Sequence, residues 1–244
     1  MNQLLESVFS SKIFLTSNGK KISIHSETPK SQCEFLQQII RDNGFASSLE
    51  IGFAYGLSTL AITEEIVINN GKHVVIDKFE ITDWEGVGID LIKQAGYSKS
   101  VEFHEEFCYK VLPKFLEDGR RFDFAYIDST KQLDWILVDF FFIDKLLEKN
   151  GIIVFDDVTF PGIRKILRYI SQFPNYKTYD AFPKNKKLNF GRKLFSILKK
   201  LPKANKYLKE DIMLNDYDLG INSQCVAIQK INDDSRSWDW HKDF

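Results

Sequence analysis

Short apolar runs alternate with segments of helical periodicity along most of the chain. Compact apolar runs bounded by glycine or polar residues predict buried strands, whereas apolar positions three and four residues apart predict helices. The predicted strands are 47–51, 73–77, 100–104, 122–127 and 151–155, with two more near 177–182 and 223–230. The predicted helices are 57–68, 86–95, 107–117, 132–147 and 161–172. Strands and helices that alternate in this way indicate βαβ units around a parallel sheet.

The N-terminal part of the chain precedes that alternation. Two alternating runs around an Asn-Gly pair predict a hairpin. A helix should follow, with Thr28 as its cap, Pro29 at its first position and Gly44 at its end. We therefore expect a single domain over residues 1–244, in which residues 1–45 are an N-terminal elaboration.

A basic insertion, residues 184–210, separates the last two predicted strands. Positions 184–209 contain ten Lys or Arg and no Asp or Glu, and the rest of the chain carries 23 basic and 34 acidic residues, a balance of −11. Apolar positions near helical spacing give the segment an apolar face as well. Two interpretations stay open. The segment is a solvated helix with a basic face, or it is a lid or docking arm for an anionic substrate, a lipid surface or a partner.

The composition excludes several classes of protein. The chain has 244 residues and a formal net charge of −1, which gives no overall attraction to nucleic acid or anionic membranes. Its three cysteines lie far apart without CxxC spacing, so a structural zinc site or a disulfide framework is not expected. No stretch approaches the roughly 18 apolar residues of a membrane span, and the N-terminus lacks the basic start of a signal peptide. We expect a cytoplasmic protein with no transmembrane segment.

Acidic residues end or follow four of the predicted strands. They are Glu50, Asp77, Asp128 and the pair Asp156-Asp157. The carboxyl ends of parallel strands meet at one edge of a sheet, where open α/β folds bind their ligands. A single Asp in such a place is usually a turn former or a helix cap. Several carboxylates crowded together repel one another unless a cation is bound, and this favours a functional site.

A glycine loop follows the first of these strands. The stretch "LEIGFAYGLS" has the pattern E-x-G-x-x-x-G-x-S, which is neither the phosphate-binding G-x-x-x-x-G-K-[ST] nor the dinucleotide-binding G-x-G-x-x-G. Gly52 allows a tight turn, and Gly56 allows a ligand or a helix to approach the backbone. Asp77 lies 21 residues after Gly56, near the offset at which an acidic residue meets ribose hydroxyls. A nucleoside ligand without a pyrophosphate therefore fits better than NAD.

With these motifs the sequence resembles class I S-adenosylmethionine-dependent methyltransferases, in the branch of catechol O-methyltransferase and related bacterial small-molecule O-methyltransferases. The resemblance runs from "ISIHSETPKSQCEFL" to "FDDVTFPGI". It implies a Rossmann-like, doubly wound sheet of seven mostly parallel strands, with helices on both faces and an antiparallel last strand. It also implies that S-adenosylmethionine is bound by the glycine loop, by an acidic residue at the ribose, by two residues at the adenine and by the first acidic residue after the fourth strand. By position these are Glu50, Gly52, Gly56, Ser58, Asp77, Phe107, Cys108 and Asp128.

The same resemblance implies metal-assisted O-methylation. Asp128, Asp156 and Asp157 match the positions that bind a divalent cation, for which Mg²⁺ is expected because it prefers oxygen ligands. Such an ion lowers the pKa of an acceptor hydroxyl and orients it. Lys131 falls where these enzymes place a catalytic lysine, so Lys131 and Asp128 are the candidate catalytic residues. A second interpretation stays open, in which Lys131 only neutralises the carboxylates in an ion network without metal.

The expected partner is a small-molecule hydroxyl acceptor, a sugar or a secondary metabolite, and not nucleic acid. The alternatives are a nucleic-acid methyltransferase that uses the basic 184–209 segment, a non-catalytic cofactor- or partner-binding module of the same fold, and an NAD-dependent oxidoreductase. The aromatic helix 132–147 indicates core packing or a homodimer face. Glu105 and Glu106 could reach the adenine amine, or could simply favour the start of the following helix.

Overall fold

The structure is a computed structural model that describes residues 1–25, 27–184 and 215–241. The strands in these ranges are β1 Ile13–Leu15, β2 Lys21–Ser23, β3 Ser47–Ile51, β4 Lys72–Ile76, β5 Val101–His104, β6 Phe122–Ile127, β7 Leu147–Phe155, β8 Tyr176–Phe182 and β9 Cys225–Lys230. The helices are α1 Gln3–Ser11, α2 Lys30–Asn43, α3 Leu57–Ile66, α4 Val87–Gln94, α5 Cys108–Glu117, α6 Leu133–Leu146 and α7 Pro161–Ile170, and a 3₁₀ turn, Val67–Asn69, continues α3.

Seven strands form one sheet in the order β5-β4-β3-β6-β7-β9-β8. Strands β3 to β7 pair in parallel, while β9 runs antiparallel to both of its neighbours, β7 and β8. The predicted mostly parallel sheet of seven strands with an antiparallel last strand is confirmed. The chain order reverses beside β3, since β4 lies on one side of it and β6 on the other. Such a switch point opens a crevice at the carboxyl ends of the strands.

The register places the strand ends at one level. Ile51 pairs with both Ile76 and Ile127, and Ile127 pairs with Phe155. Residues that follow β3, β4, β6 and β7 therefore emerge at the same edge of the sheet, as the positions of the acidic residues predicted.

Helices cover both faces of the sheet because side chains alternate along each buried strand. On one face Phe124 and Tyr126 of β6 pack with α2 and α3. On the other face Ala125 and Ile127 of the same strand pack with α5, α6 and α7. A third cluster joins α1, β1, α3 and α4 beside Val75 of β4. The two layers of helices shield a sheet whose central strands are apolar on both sides.

The N-terminal elaboration differs from its prediction in two respects. The hairpin is present as β1 and β2, but the helix after it begins at Lys30, with Pro29 at the cap position and no side-chain cap, so the expected role of Thr28 is wrong. The pattern analysis also missed α1, whose N-cap Asn2 accepts a hydrogen bond from the Leu4 amide at 2.8 Å. The buried residues Leu5 and Val8 of α1 are three positions apart, the spacing that could have identified it.

The basic insertion predicted at 184–210 lies outside the described residues except for Lys184. Within the part of the chain that the structure describes, no helix has the length and apolarity to cross a membrane.

Candidate functional site

A cavity of about 660 Å³ opens at the carboxyl edge of the sheet, beside the ends of β3, β4 and β6. Its walls come from residues 51–58, 76–79, 106–108 and 128–130, with further side chains from α6 and from the segment before α2. Seven of the eight residues predicted to bind the cofactor line it: Gly52, Gly56, Ser58, Asp77, Phe107, Cys108 and Asp128. The eighth, Glu50, lies outside this lining.

Both loop glycines are required by the packing of the backbone. Gly52 has φ +100°, and a Cβ there would lie 2.1 Å from the carbonyl oxygen of Asp128. Gly56 has φ +75°, and its Cβ would lie 2.9 Å from the Cα of Gly88 at the start of α4. Real Cβ atoms do not approach other atoms so closely, so only glycine fits. The loop is held directly against β6 and α4, which leaves its inner side facing the cavity.

Asp77 braces the loop from the end of β4. Its Oδ2 accepts a hydrogen bond from the Phe53 amide at 2.8 Å, and its Oδ1 accepts one from the Phe79 amide at 2.7 Å. A carboxylate offers about four lone-pair sites. Asp77 can therefore hold the loop and still accept hydrogen bonds from a ligand in the cavity that it lines.

Glu50 is completely buried and is satisfied by protein groups. The Ser58 hydroxyl donates to Oε1 at 2.6 Å and the Thr59 hydroxyl donates to Oε2 at 2.5 Å. The Nε2 atom of His73 lies 2.9 Å from the same Oε2. Glu50 thus joins β3, β4 and the first turn of α3, and it fixes the far side of the loop. The sequence analysis did not identify Thr59 and His73 as its partners, since neither belongs to a recognisable motif.

The carboxylates after β6 and β7 meet around one ammonium group. The Nζ atom of Lys131 lies 2.8 Å from Oδ1 of Asp128 and 2.9 Å from Oδ2 of Asp157. Burial by itself would lower the pKa of Lys131, but the charges and hydrogen bonds of the two carboxylates outweigh it, so this pKa is raised above its usual value. Lys131 is therefore charged at neutral pH and neutralises the pair.

Asp156 faces the interior. The Tyr126 hydroxyl donates to its Oδ2 at 2.9 Å, and the Asp157 amide donates to its Oδ1 at 2.7 Å. Gln32 of α2 in turn donates to the Tyr126 hydroxyl at 2.9 Å. Burial, and then the nearby charge of Asp128, raise the pKa of Asp156 to about 6. Gln32 and Tyr126 are part of the site that the sequence analysis missed, because they lie far from Asp156 along the chain.

This donor set does not fit a divalent cation as it is arranged. Lys131 lies between Asp128 and Asp157, and both oxygens of Asp156 accept hydrogen bonds from protein donors. Gln224 also donates to Asp157. Among the described residues no three His, Cys, Asp or Glu side chains form a group that could hold a metal ion. The three residues of the expected Mg²⁺ site are brought together, but around a lysine.

An aromatic group forms the end of the cavity beyond Asp77. Phe107 packs edge-on against Phe79, with ring centroids 5.9 Å apart, and lies 6.0 Å from the ring of Trp135. Asp139 of α6 closes this end, is fully buried and receives a 3.4 Å hydrogen bond from the Ser129 hydroxyl. Burial raises the pKa of Asp139 to about 6. The sequence analysis missed Asp139; its signal was a lone carboxylate within the apolar run of α6.

Comparison with known proteins finds one family. The family model described as O-methyltransferase matches residues 12–189. Caffeoyl-CoA O-methyltransferase 2 of Petunia hybrida is 28% identical over 158 residues, which are 60% of this chain and 63% of that protein. Tricin synthase 2 of Oryza sativa subsp. japonica is 30% identical over 107 residues, 43% of this chain and 36% of that protein. The match therefore spans less than two thirds of the length of these relatives.

Solved structures share the fold. An O-methyltransferase from Bacillus cereus in complex with SAH aligns with a TM-score of 0.57 and 20% identity, over 72% of this chain and 80% of that chain. The O-methyltransferase TomG from Streptomyces achromogenes, in complex with SAM, aligns with a TM-score of 0.59 and 18% identity, over 73% of this chain and 82% of that chain. At these identities the similarity shows a common architecture.

Proposed function

This chain belongs to the O-methyltransferase family, and from that membership we propose that it transfers the methyl group of S-adenosylmethionine to a hydroxyl oxygen of a small molecule. The observation that carries the proposal is the cavity of about 660 Å³ at the switch point of the sheet, lined by the glycine loop, Asp77 and Asp128. Nucleotide-type cofactors of open α/β folds bind at this point. The loop lacks a phosphate-binding pattern, and this favours a cofactor without phosphate.

The proposed cofactor lies along the cavity with each of its parts against a different group of residues. Its methionine part lies against Gly52, Gly56 and Ser58, and its ribose hydroxyls donate hydrogen bonds to Asp77. Its adenine lies beside Phe107 and Cys108, at the aromatic end. Glu50 contributes through Ser58, whose hydroxyl it fixes at 2.6 Å.

The first test is a calorimetric titration with S-adenosylhomocysteine, with NAD as the comparison ligand. We expect binding of the former only. Asp77→Asn should weaken that binding at least about tenfold, because charge-assisted hydrogen bonds contribute about 1.5–3 kcal/mol each. Asp123→Asn is the matched control, since Asp123 caps the start of β3 at the opposite edge of the sheet by accepting from the Ala46 and Ser47 amides. An equal loss of affinity in both variants would contradict the ribose assignment, and heat with NAD alone would contradict the function.

The proposed chemistry needs only side chains already at the site. As the bond from the methyl carbon to sulfur breaks and its bond to the acceptor oxygen forms, the hydroxyl proton must leave. Asp128 lines the cavity and lies 2.8 Å from Lys131, so it is placed to accept this proton. The charged Lys131 can donate a hydrogen bond to the acceptor oxygen and stabilise the negative charge that develops on it. Because its pKa is raised, Lys131 acts here as the cation and not as the base.

Chelation distinguishes this site from the metal-assisted one that the resemblance implies. We expect methyl transfer in excess chelator to stay within about twofold of the untreated rate, since Lys131 already supplies the positive charge between Asp128 and Asp157. The measurement is product formation from labelled S-adenosylmethionine, before and after chelation and after addition of Mg²⁺. Loss of activity that Mg²⁺ restores would show that the three carboxylates hold a divalent ion during turnover.

The acceptor is proposed to be a sugar or a secondary metabolite with a free hydroxyl. A screen of hydroxyl compounds with the same labelled cofactor identifies it. Short RNA and DNA oligonucleotides belong in the screen, because label in those fractions would favour the nucleic-acid alternative. The exposed side chains of Leu137, Val138 and Phe141 on α6 support a homodimer, which light scattering of the purified chain tests.

A further inference from the structure

One buried carboxylate oxygen at the aromatic end of the cavity lacks a partner. The Asp139 side chain has no exposed surface. Its Oδ2 receives the weak bond from Ser129 at 3.4 Å, and the Cys108 thiol lies within hydrogen-bonding reach of the carboxylate. Its Oδ1 has no hydrogen-bond partner among the described residues. Since Asp139 also lines the cavity, this acceptor faces the space that a ligand would fill.

A buried acceptor without a donor destabilises the protein that carries it. The neighbours of Asp139 do not remove this penalty, because they are the rings of Phe107 and Trp135 and the weakly polar Cys108. A flat ring that stacks among these aromatic groups and presents an N–H to Oδ1 would remove it. A purine with an exocyclic amine has both properties.

We propose that Asp139 selects the base of the cofactor by accepting a hydrogen bond at Oδ1 from the exocyclic amine of adenine. The inference rests on the proposed function and adds a specificity-determining residue to it. A purine with an oxo group in place of the amine presents an acceptor to Asp139, and two acceptors repel each other. The site should therefore discriminate between adenosyl and inosyl ligands that are otherwise identical.

Glu106 is the other carboxylate in this part of the cavity wall. Its Oε1 accepts from the Phe107 amide at 2.9 Å, and 39% of its side chain is exposed. It also pairs with Lys110 at 3.2 Å. Because water reaches Glu106 and its own helix satisfies it, Glu106 gains less from a ligand N–H than Asp139 does.

The test compares S-adenosylhomocysteine with S-inosylhomocysteine by calorimetry at about pH 8, where the carboxylate is ionised. Wild-type protein should bind the adenosyl ligand about 10–100-fold more tightly. Asp139→Asn should reduce this ratio to within about threefold, because an amide can donate to an oxo group as well as accept from an amine. Asp139→Leu removes the acceptor while keeping the volume similar, and should lower affinity for the adenosyl ligand alone.

Two matched variants complete the test. Asp134→Asn, an exposed position on the same helix, should leave the ratio unchanged, and thermal unfolding verifies that each variant is folded. An unchanged ratio in Asp139→Asn and Asp139→Leu, or a ratio that collapses only in Glu106→Gln, overturns the assignment. Wild-type protein that binds S-adenosylhomocysteine without base discrimination overturns this inference alone. Wild-type protein that binds neither ligand overturns the proposed function and this inference together.

Discussion

Replacing Gly52 with alanine should lower the free energy of unfolding by about 3 kcal/mol or more and abolish detectable binding of S-adenosylhomocysteine. The added Cβ would lie 2.1 Å from the Asp128 carbonyl oxygen and 2.9 Å from its carbonyl carbon. These are backbone atoms at the end of a central strand, so neither side can yield cheaply. Overpacking of this kind costs typically 1–3 kcal/mol, and a side chain at positive φ adds about 1–2 kcal/mol.

Gly96→Ala is the matched control for that experiment. Gly96 also has positive φ, at +83°, but a Cβ there meets nothing within 4 Å. It should therefore show only the conformational penalty of about 1–2 kcal/mol and bind S-adenosylhomocysteine normally. Urea unfolding and calorimetry measure the two effects. Equal destabilisation of the two variants would mean that the close approach of the loop to β6 is absent in solution.

Lys131→Met should reduce the rate of methyl transfer about 10²–10³-fold while the affinity for S-adenosylhomocysteine stays within about threefold of wild type. The rate falls because the variant removes the one positive charge that lies between Asp128 and Asp157, and loss of a single preorganised donor has effects of this size. The affinity holds because Lys131 is outside the cavity lining. Single-turnover kinetics and calorimetry separate the two quantities.

The controls for Lys131 vary charge and position separately. Lys131→Arg keeps the charge and should retain more activity than the methionine variant, and Lys165→Met removes an exposed lysine from α7 and should have no effect. If Lys131→Met is fully active with Mg²⁺ present, the cation that serves the acceptor is the metal and not the lysine.

The layout of the sheet could be predicted because each element carries its own local signal. Strand β6 was placed at its observed bounds, 122–127, since it is a continuous apolar run that ends at Asp128. Strand β7 was predicted from 151, yet it begins at Leu147 immediately after α6. Residues 148–150 of that strand are exposed and polar, so backbone pairing alone makes them a strand, and their sequence gives no sign of it.

The site was predictable in its positions but not in its partners. Strand ends indicate where a carboxylate emerges, and so Asp77 and Asp128 were placed in the cavity wall. Which oxygen meets which donor depends on side chains distant in sequence, such as His73 beneath Glu50. The cation at Asp128 and Asp157 could likewise have been a metal ion or Lys131. Only the 2.8 Å and 2.9 Å distances from Nζ favour the lysine in this arrangement.

The contact between Gly52 and the Asp128 carbonyl also bears on how this protein could change its substrate. The loop proposed to hold the cofactor and the carboxylate proposed to take the acceptor's proton form one rigid backbone unit, so the distance between donor and acceptor is built into the sheet. Variation in acceptor choice must then come from side chains that border the cavity without supporting that unit, such as Glu27, Thr28 and Trp84. Directed evolution toward new acceptors should begin at those positions and leave the loop unaltered.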